Sequence, residues 1–169
     1  MNVNAIVYTS NTGYTARYAG LLGKRTGLPV YSLVEAGAKL PAGNCVIYLG
    51  WLMAGKIQGY AKAAKRYRIA AVCGVGMGPG GSQLEELRKG NRLEEDLPLF
   101  TLQGGFDMDK LKGLSKLLMQ AMPKTVGKSL TNKQDRTPEE EQMLLLLTQG
   151  GSCVSEENLQ PVLDWFSAR

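Results

Sequence analysis

Ser10, Asn11, Thr12, Gly13, Tyr14 and Thr15 follow directly on the apolar run Ala5-Ile6-Val7-Tyr8. Closely spaced hydroxyls and a glycine, set between a strand and a helix, leave backbone N–H groups free at a helix N-terminus. Such an arrangement is a seat for a phosphate. No Lys or Arg precedes Arg17, so a phosphate here would be held by hydroxyls, amides and the helix dipole instead of a paired cation. The competing reading is an ordinary strand-to-helix turn capped by Ser or Thr.

Two more loops leave the C-terminal ends of expected strands, where open α/β sheets bind ligands. In Gly50-Trp51-Leu52-Met53-Ala54-Gly55-Lys56, Trp51 can flank a flat ring with its own aromatic face, and the neighbouring amides can meet polar edges. The alternative for Trp51 is a core or interface tryptophan. The second loop, Gly74-Val75-Gly76-Met77-Gly78-Pro79-Gly80-Gly81, contains Gly76-x-Gly78-x-x-Gly81 between a strand and a helix. A dinucleotide fingerprint is set aside here because it belongs in the first strand-helix turn, Pro79 interrupts it, and no acid ends the next strand. A Walker phosphate loop also fails, since Gly127-Lys128-Ser129 has Met122 where its first glycine is required.

Composition removes other chemistries. The 169 residues include no histidine, which excludes Ser-His-Asp and Cys-His nucleophiles and the commonest zinc sets. Cys45, Cys73 and Cys153 are odd in number, and the first two lie in apolar runs, so they read as structural free thiols. No metal site and no catalytic side chain is expected. The formal charge is +5, which favours acidic proteins or an anionic membrane surface as partners. No stripe of basic and aromatic residues suggests nucleic acid. Without a leader-like N-terminus or an apolar span of membrane length, the chain is expected to be cytoplasmic.

The elements that must carry these loops follow from periodicity. Strands are expected at Val3–Tyr8, Pro29–Leu33, Cys45–Gly50, Ile69–Val75 and Leu97–Leu102, with helices over Tyr14–Arg25, Gly59–Arg68, from Ser82 to about Gly90-Asn91, and from Asp107 to Pro123. Ser82 and Glu85 form a capping-box pattern, and Leu111, Leu114, Leu118 and Met122 share one helical stripe. Lys124–Lys133 reads as a loop. Thr137-Pro138-Glu139-Glu140 starts a further helix ending at Gly150-Gly151, and Ser155–Phe166 makes the last. Strands alternating with helices predict an α/β class, a parallel sheet covered on both faces.

The pattern Ser10-x-Thr12-Gly13-x-Thr15 after the first strand resembles the phosphate loop of flavodoxins. That resemblance implies a flavodoxin-like, three-layer, doubly wound five-stranded parallel sheet of order 2-1-3-4-5, with FMN as cofactor. It implies a flavin site formed by Ser10, Asn11, Thr12, Gly13, Tyr14 and Thr15 at the phosphate, and by Trp51, Leu52, Met53, Ala54, Gly55, Gly76, Met77 and Gly78 at the ring. Gly55, or the Ala54-Gly55 peptide, would be the redox-responsive peptide. Met77 stands where flavodoxins carry an acid, no tyrosine follows it, and the positive net charge departs from the usual acidic shuttle. Gly104-Gly105-Phe106-Asp107 after the fifth strand is similar to the flavodoxin-type protoporphyrinogen IX dehydrogenases, which also carry a C-terminal appendix. On this resemblance, residues 1–123 form the FMN-binding domain and 124–169 a loop and helical appendix of it. The expected function is electron transfer or flavin-dependent oxidoreduction, with a redox protein or a small-molecule or quinone acceptor. The dehydrogenase resemblance also implies a basic surface in peripheral contact with the membrane, to which Lys110, Lys112, Lys116 and Lys124 could contribute, although a solvated helix face is the favoured reading of these lysines. The alternative is a flavin-free module of the same fold that serves protein interaction or regulation.

Overall fold

A computed structural model describes residues 2–107, 135 and 137–169. The helix expected from Asp107 to Pro123, the loop over 124–133 and the lysines at 110, 112, 116 and 124 lie outside the described residues. The chain runs β1 (Ala5–Thr9), α1 (Tyr14–Thr26), β2 (Val30–Ser32), α2 (Leu33–Lys39), β3 (Cys45–Met53), β4 (Lys56–Ile57), α3 (Tyr60–Ala64), β5 (Arg68–Gly76), α4 (Leu84–Asn91) and β6 (Leu99–Gln103). It continues with β7 (Gly105–Phe106), α5 (Pro138–Gln149), β8 (Gly151–Ser152) and, after a 3-10 turn over Glu157–Leu159, α6 (Gln160–Ser167). The protein is thus α/β, with five parallel strands in the order β2-β1-β3-β5-β6.

Alternation along each strand sends side chains to two faces, and helices cover both. Ile6, Ile47, Leu49, Ala71 and Cys73 pack with Tyr18 and Leu22 of α1 and Val162 and Leu163 of α6. Ala5, Val7, Val46, Tyr48 and Val72 pack on the other face with Ala36 of α2, Ala63 of α3 and Leu87 of α4. Burial on both faces is why β3 and β5 read as continuous apolar runs without a polar alternate. No helix among the described residues is long and apolar enough to cross a membrane.

Several boundaries differ from the sequence expectations, each for a local reason. The segment after β2 is helical, because Ser32 and Glu35 close a full capping box on α2. The expected loop Gly50–Lys56 is instead the end of β3 and a tight hairpin into β4, turned by Ala54 at φ 49 and Gly55 at φ 71. Two successive left-handed residues match the right-handed strand twist. The helix expected over Gly59–Arg68 is confined to α3, since the Ala63 carbonyl takes the Arg66 and Tyr67 amides and Arg68 already pairs with Cys45 in the sheet. Ser82 does not cap α4: its hydroxyl donates to the Pro79 carbonyl at 2.7 Å, and left-handed Gln83 stands at the cap position.

The C-terminal segment is tied to α1 and to the end of β6. β8 pairs antiparallel with β7, and Arg17 donates to Ser152 Oγ. The Tyr18 hydroxyl donates to the Gln103 carbonyl and accepts from Asn158 Nδ2 at 2.7 Å. An exposed Arg25–Glu156 ion pair at 2.8 Å adds a rim contact worth little by itself.

Two buried groups make stability sensitive to alkali. Burial pushes the Tyr48 phenol from 10.0 up to about 12, against a smaller opposing effect of its hydrogen bond with Thr9. Burial alone pushes the Cys73 thiol from 9.0 up to about 12. Between these ordinary and raised values the unfolded chain has lost a proton that the fold keeps, so stability falls as pH rises. Stability is expected to hold below about pH 9, to decline first through Cys73, and to decline faster from about pH 10 to 12 as Tyr48 joins. Each group contributes a slope of about 1.4 kcal/mol per pH unit in its window. Urea unfolding across this range checks it, and Tyr48→Phe should reduce only the later part of the slope, the remainder coming from Tyr18 and Tyr60, whose phenols burial also pushes up.

Candidate functional site

The turn after β1 is held from below and left open above. Thr9 Oγ1 donates to the Gln58 carbonyl at 2.6 Å and lies 3.0 Å from the Tyr48 hydroxyl. Ser10 Oγ accepts the Gly13 amide at 3.2 Å. Gly13 sits at φ 94, a left-handed conformation that turns the chain abruptly into α1. No side chain caps α1 and no acid lies in its first turn. By contrast, α2 and α5 each begin with a complete capping box, Ser32/Glu35 and Thr137/Glu140. The positive end of the α1 dipole is therefore not screened by an acid of its own first turn. Beside it, Asn11 Nδ2 is buried and has no hydrogen-bond partner among the described residues. Buried amide donors are seldom left unmade, because each costs about 1–3 kcal/mol.

A cavity of about 480 Å³ opens at this turn, at the C-terminal edge of the sheet. Asn11 and Thr12 line it from the turn after β1, Tyr14 and Thr15 from α1, Trp51 to Gly55 from the β3–β4 hairpin, and Gly76, Met77 and Gly78 from the end of β5 and just beyond it. All the residues proposed from sequence thus meet at one cavity except Ser10 and Gly13. Those two line an adjoining hollow toward β2, and Asn11 borders both. Tyr14 spends its hydroxyl on the Gly151 carbonyl at 2.9 Å, and Thr15 is buried.

The ring-sized part of the cavity is built by strand alternation and close packing. Consecutive residues Trp51 and Leu52 leave β3 on opposite sides of the sheet, as the pleat requires, and Leu52 joins the core that includes Tyr48 and Leu87. A Cβ on Gly74 would come within 2.8 Å of Leu52 Cδ2, and one on Gly76 within 3.0 Å of Leu52 Cδ1. The Gly74-x-Gly76 spacing is thereby explained by the packing of Leu52. The hairpin is fixed from outside: Asn91 donates through Nδ2 to the Gly55 carbonyl at 3.1 Å and accepts the Ile57 amide at 2.9 Å. Lys56 Nζ donates to the Gly90 carbonyl.

Sequence reasoning missed the far wall. Thr101 and Leu102 of β6, Gly104 to Asp107 and Met143 of α5 also line the cavity. Met77 and Met143 pack against Phe106 and Leu146 there, and Gln103 Nε2 holds the Met77 carbonyl at 3.1 Å. The Gly-Gly-Phe-Asp turn could have pointed to this wall, because it leaves a strand at the same sheet edge. Nothing in the sequence points to Met143, which arrives from an element far along the chain.

Asp107 is the one charged residue among the described lining residues, and no group of His, Cys, Asp and Glu among the described residues could hold a metal ion. The lining suits a flat, largely apolar ligand with an anionic end at the α1 turn. Comparison of the chain with protein-family models, curated proteins and solved structures finds no match.

Proposed function

We propose that this cavity binds FMN and that the protein is a flavoprotein of flavodoxin-like fold, acting in electron transfer or flavin-dependent oxidoreduction. The observation that carries the reading is the unpartnered, buried Asn11 Nδ2 beside an uncapped, acid-free helix N-terminus on the wall of an apolar cavity. A phosphate satisfies both the amide donor and the helix dipole. The order of the five parallel strands supports the fold assignment, since it places the α1 turn and the β3 and β5 ends side by side.

In this reading Ser10, Thr12 and Thr15 hydroxyls and the turn amides hold the phosphate, and Asn11 Nδ2 donates to the ligand. Trp51, Met53, Met77 and Phe106 border the ring and keep water from it. A bound flavin supplies reversible one- and two-electron chemistry. The protein's part is to bind and orient it and to set its surroundings.

Titration of the purified protein with FMN, followed by flavin fluorescence and visible absorption, tests this directly. Saturable quenching with one flavin per chain is expected, and riboflavin, which lacks the phosphate, should bind about tenfold or more weakly, the loss of one charge-assisted set of hydrogen bonds. Absence of any flavin binding would leave the flavin-free interaction module. Met77 in place of an acid, and glycines explained by Leu52 packing, favour that second reading. If FMN binds, oxidation of protoporphyrinogen IX separates an enzyme of that kind from an electron shuttle.

A further inference from the structure

Charge is distributed unevenly along this chain. Glu35 is the one acid before Glu85, whereas Lys39, Lys56, Lys62, Lys65, Arg66 and Arg68 all fall between those two. The fold gathers most of these cations at the end of the sheet away from the cavity. Arg66 donates through Nη2 to the Gly37 carbonyl, and Arg68 through Nε to Gly43, so the end of α3, the start of β5 and the loop after α2 are bound together. Lys39 closes α2 beside them and Lys62 and Lys65 project from α3, all exposed. Only Lys39 of this set has an acid within ion-pair distance among the described residues, Glu35 at 3.8 Å.

The side chains between these cations are small: Gly37, Ala38, Ala42, Gly43, Ala61 and Ala64 are exposed among them. A protein interface usually has a buried aromatic or aliphatic anchor at its centre, and among the described residues this pole has no exposed large apolar residue; exposed Val34 lies in the first turn of α2. Nor does it offer exposed aromatics for stacking on bases. Glu94, Glu95 and Asp96 precede β6 and confine the basic area to the β2–β5 side of the pole. Multiple unpaired cations, with neither an anchor nor a recognition helix, match an extended anionic surface.

We propose that this pole docks reversibly on an anionic lipid bilayer. β3 runs from Cys45 at the pole to Met53 at the cavity, a rise of roughly 27 Å at about 3.3 Å per residue. The docked protein therefore keeps the cavity mouth away from the bilayer and open to water-borne partners.

Co-sedimentation of the full chain with vesicles tests the proposal. The chain should bind vesicles of phosphatidylcholine containing about a third phosphatidylserine at ~0.1 M salt, should not bind phosphatidylcholine alone, and should be released near ~1 M salt. Lys62→Gln with Lys65→Gln should lower partitioning about 30-fold, at ~1 kcal/mol per cation, with an unchanged melting temperature. Equal binding to neutral vesicles, no binding to either, or tighter binding to duplex DNA than to the anionic vesicles at the same salt would overturn it. Lys62→Gln alone, with about a 5-fold loss expected at ~1 kcal/mol per cation, keeps the test decisive if the double variant folds poorly, and unchanged partitioning of a folded variant would overturn the proposal. The result is independent of whether flavin binds.

Discussion

Gly59→Ala is expected to lower stability by about 3 kcal/mol, within the roughly 2–5 kcal/mol spanned by a left-handed residue at about 1–2 kcal/mol and overpacking at about 1–3 kcal/mol. Gly59 sits at φ 80 before α3. A methyl group there would run into the Tyr48 hydroxyl and the Thr9 methyl, and come within 3.2 Å of Leu33 Cδ2. The Tyr48 hydroxyl cannot simply retreat, because it bonds the Gln58 carbonyl at 2.7 Å and pairs with Thr9. Relief of the clash breaks a buried polar cluster directly under the turn that opens the cavity. Thermal unfolding should show a drop of roughly 6–12 °C, on the usual scale of about 2–4 °C per kcal/mol for a chain of this size. A variant within about half a kcal/mol of the parent would mean that the backbone here is far more compliant than its contacts indicate.

Gly13→Val separates binding from folding. At Gly13 the φ of 94 again disfavours a side chain, but nothing lies within 4 Å of the Cβ position. The stability cost should be limited to backbone strain, about 1–2 kcal/mol. If the turn holds the FMN phosphate as proposed, a branched side chain within it obstructs that seat, and FMN affinity should fall about 100-fold or more, equivalent to ~2.7 kcal/mol. Circular dichroism with an FMN titration reads both effects. Unchanged FMN affinity in a folded Gly13→Val protein would move the phosphate away from this turn.

The contrast between Ser32 and Ser82 shows what was legible in the sequence. Both begin a Ser-x-x-Glu pattern. At Ser32 the chain enters the helix straight from extended β2, the hydroxyl faces the Glu35 amide, and the box closes. At Ser82 the preceding Pro79-Gly80-Gly81 turn brings the Pro79 carbonyl within reach and takes the hydroxyl. The pattern records compatible residue types, and the approach of the chain decides whether they meet. Whereas the half-buried edge strand β2 showed only as a short stretch after Gly27, apolar runs located the inner strands β1, β3 and β5, because burial on two faces leaves a strong local signal. The β3–β4 hairpin left a weak one, since Ala54 at φ 49 occupies a position where Asn, Asp or Gly is the recognisable choice. The first three groups of cavity residues were legible because each leaves a strand end next to glycine. The Met143 wall was not, because it depends on the pairing of β7 with β8.

That pairing has a consequence for how the protein is made. All the strands of the parallel sheet are present once Gln103 has emerged from the ribosome, and local β-α units can assemble as they appear. Phe106, however, finds its strand partner only at Gly151, and Tyr14 and Tyr18 wait for Gly151 and Asn158. During synthesis of the intervening residues a nascent chain carries a formed sheet with one wall of its cavity absent and Trp51, Met53 and Met77 uncovered on that side. The window in which this protein is most exposed to aggregation or chaperone capture thus falls late in translation, before Leu159, Val162 and Leu163 complete the core on one face of the sheet.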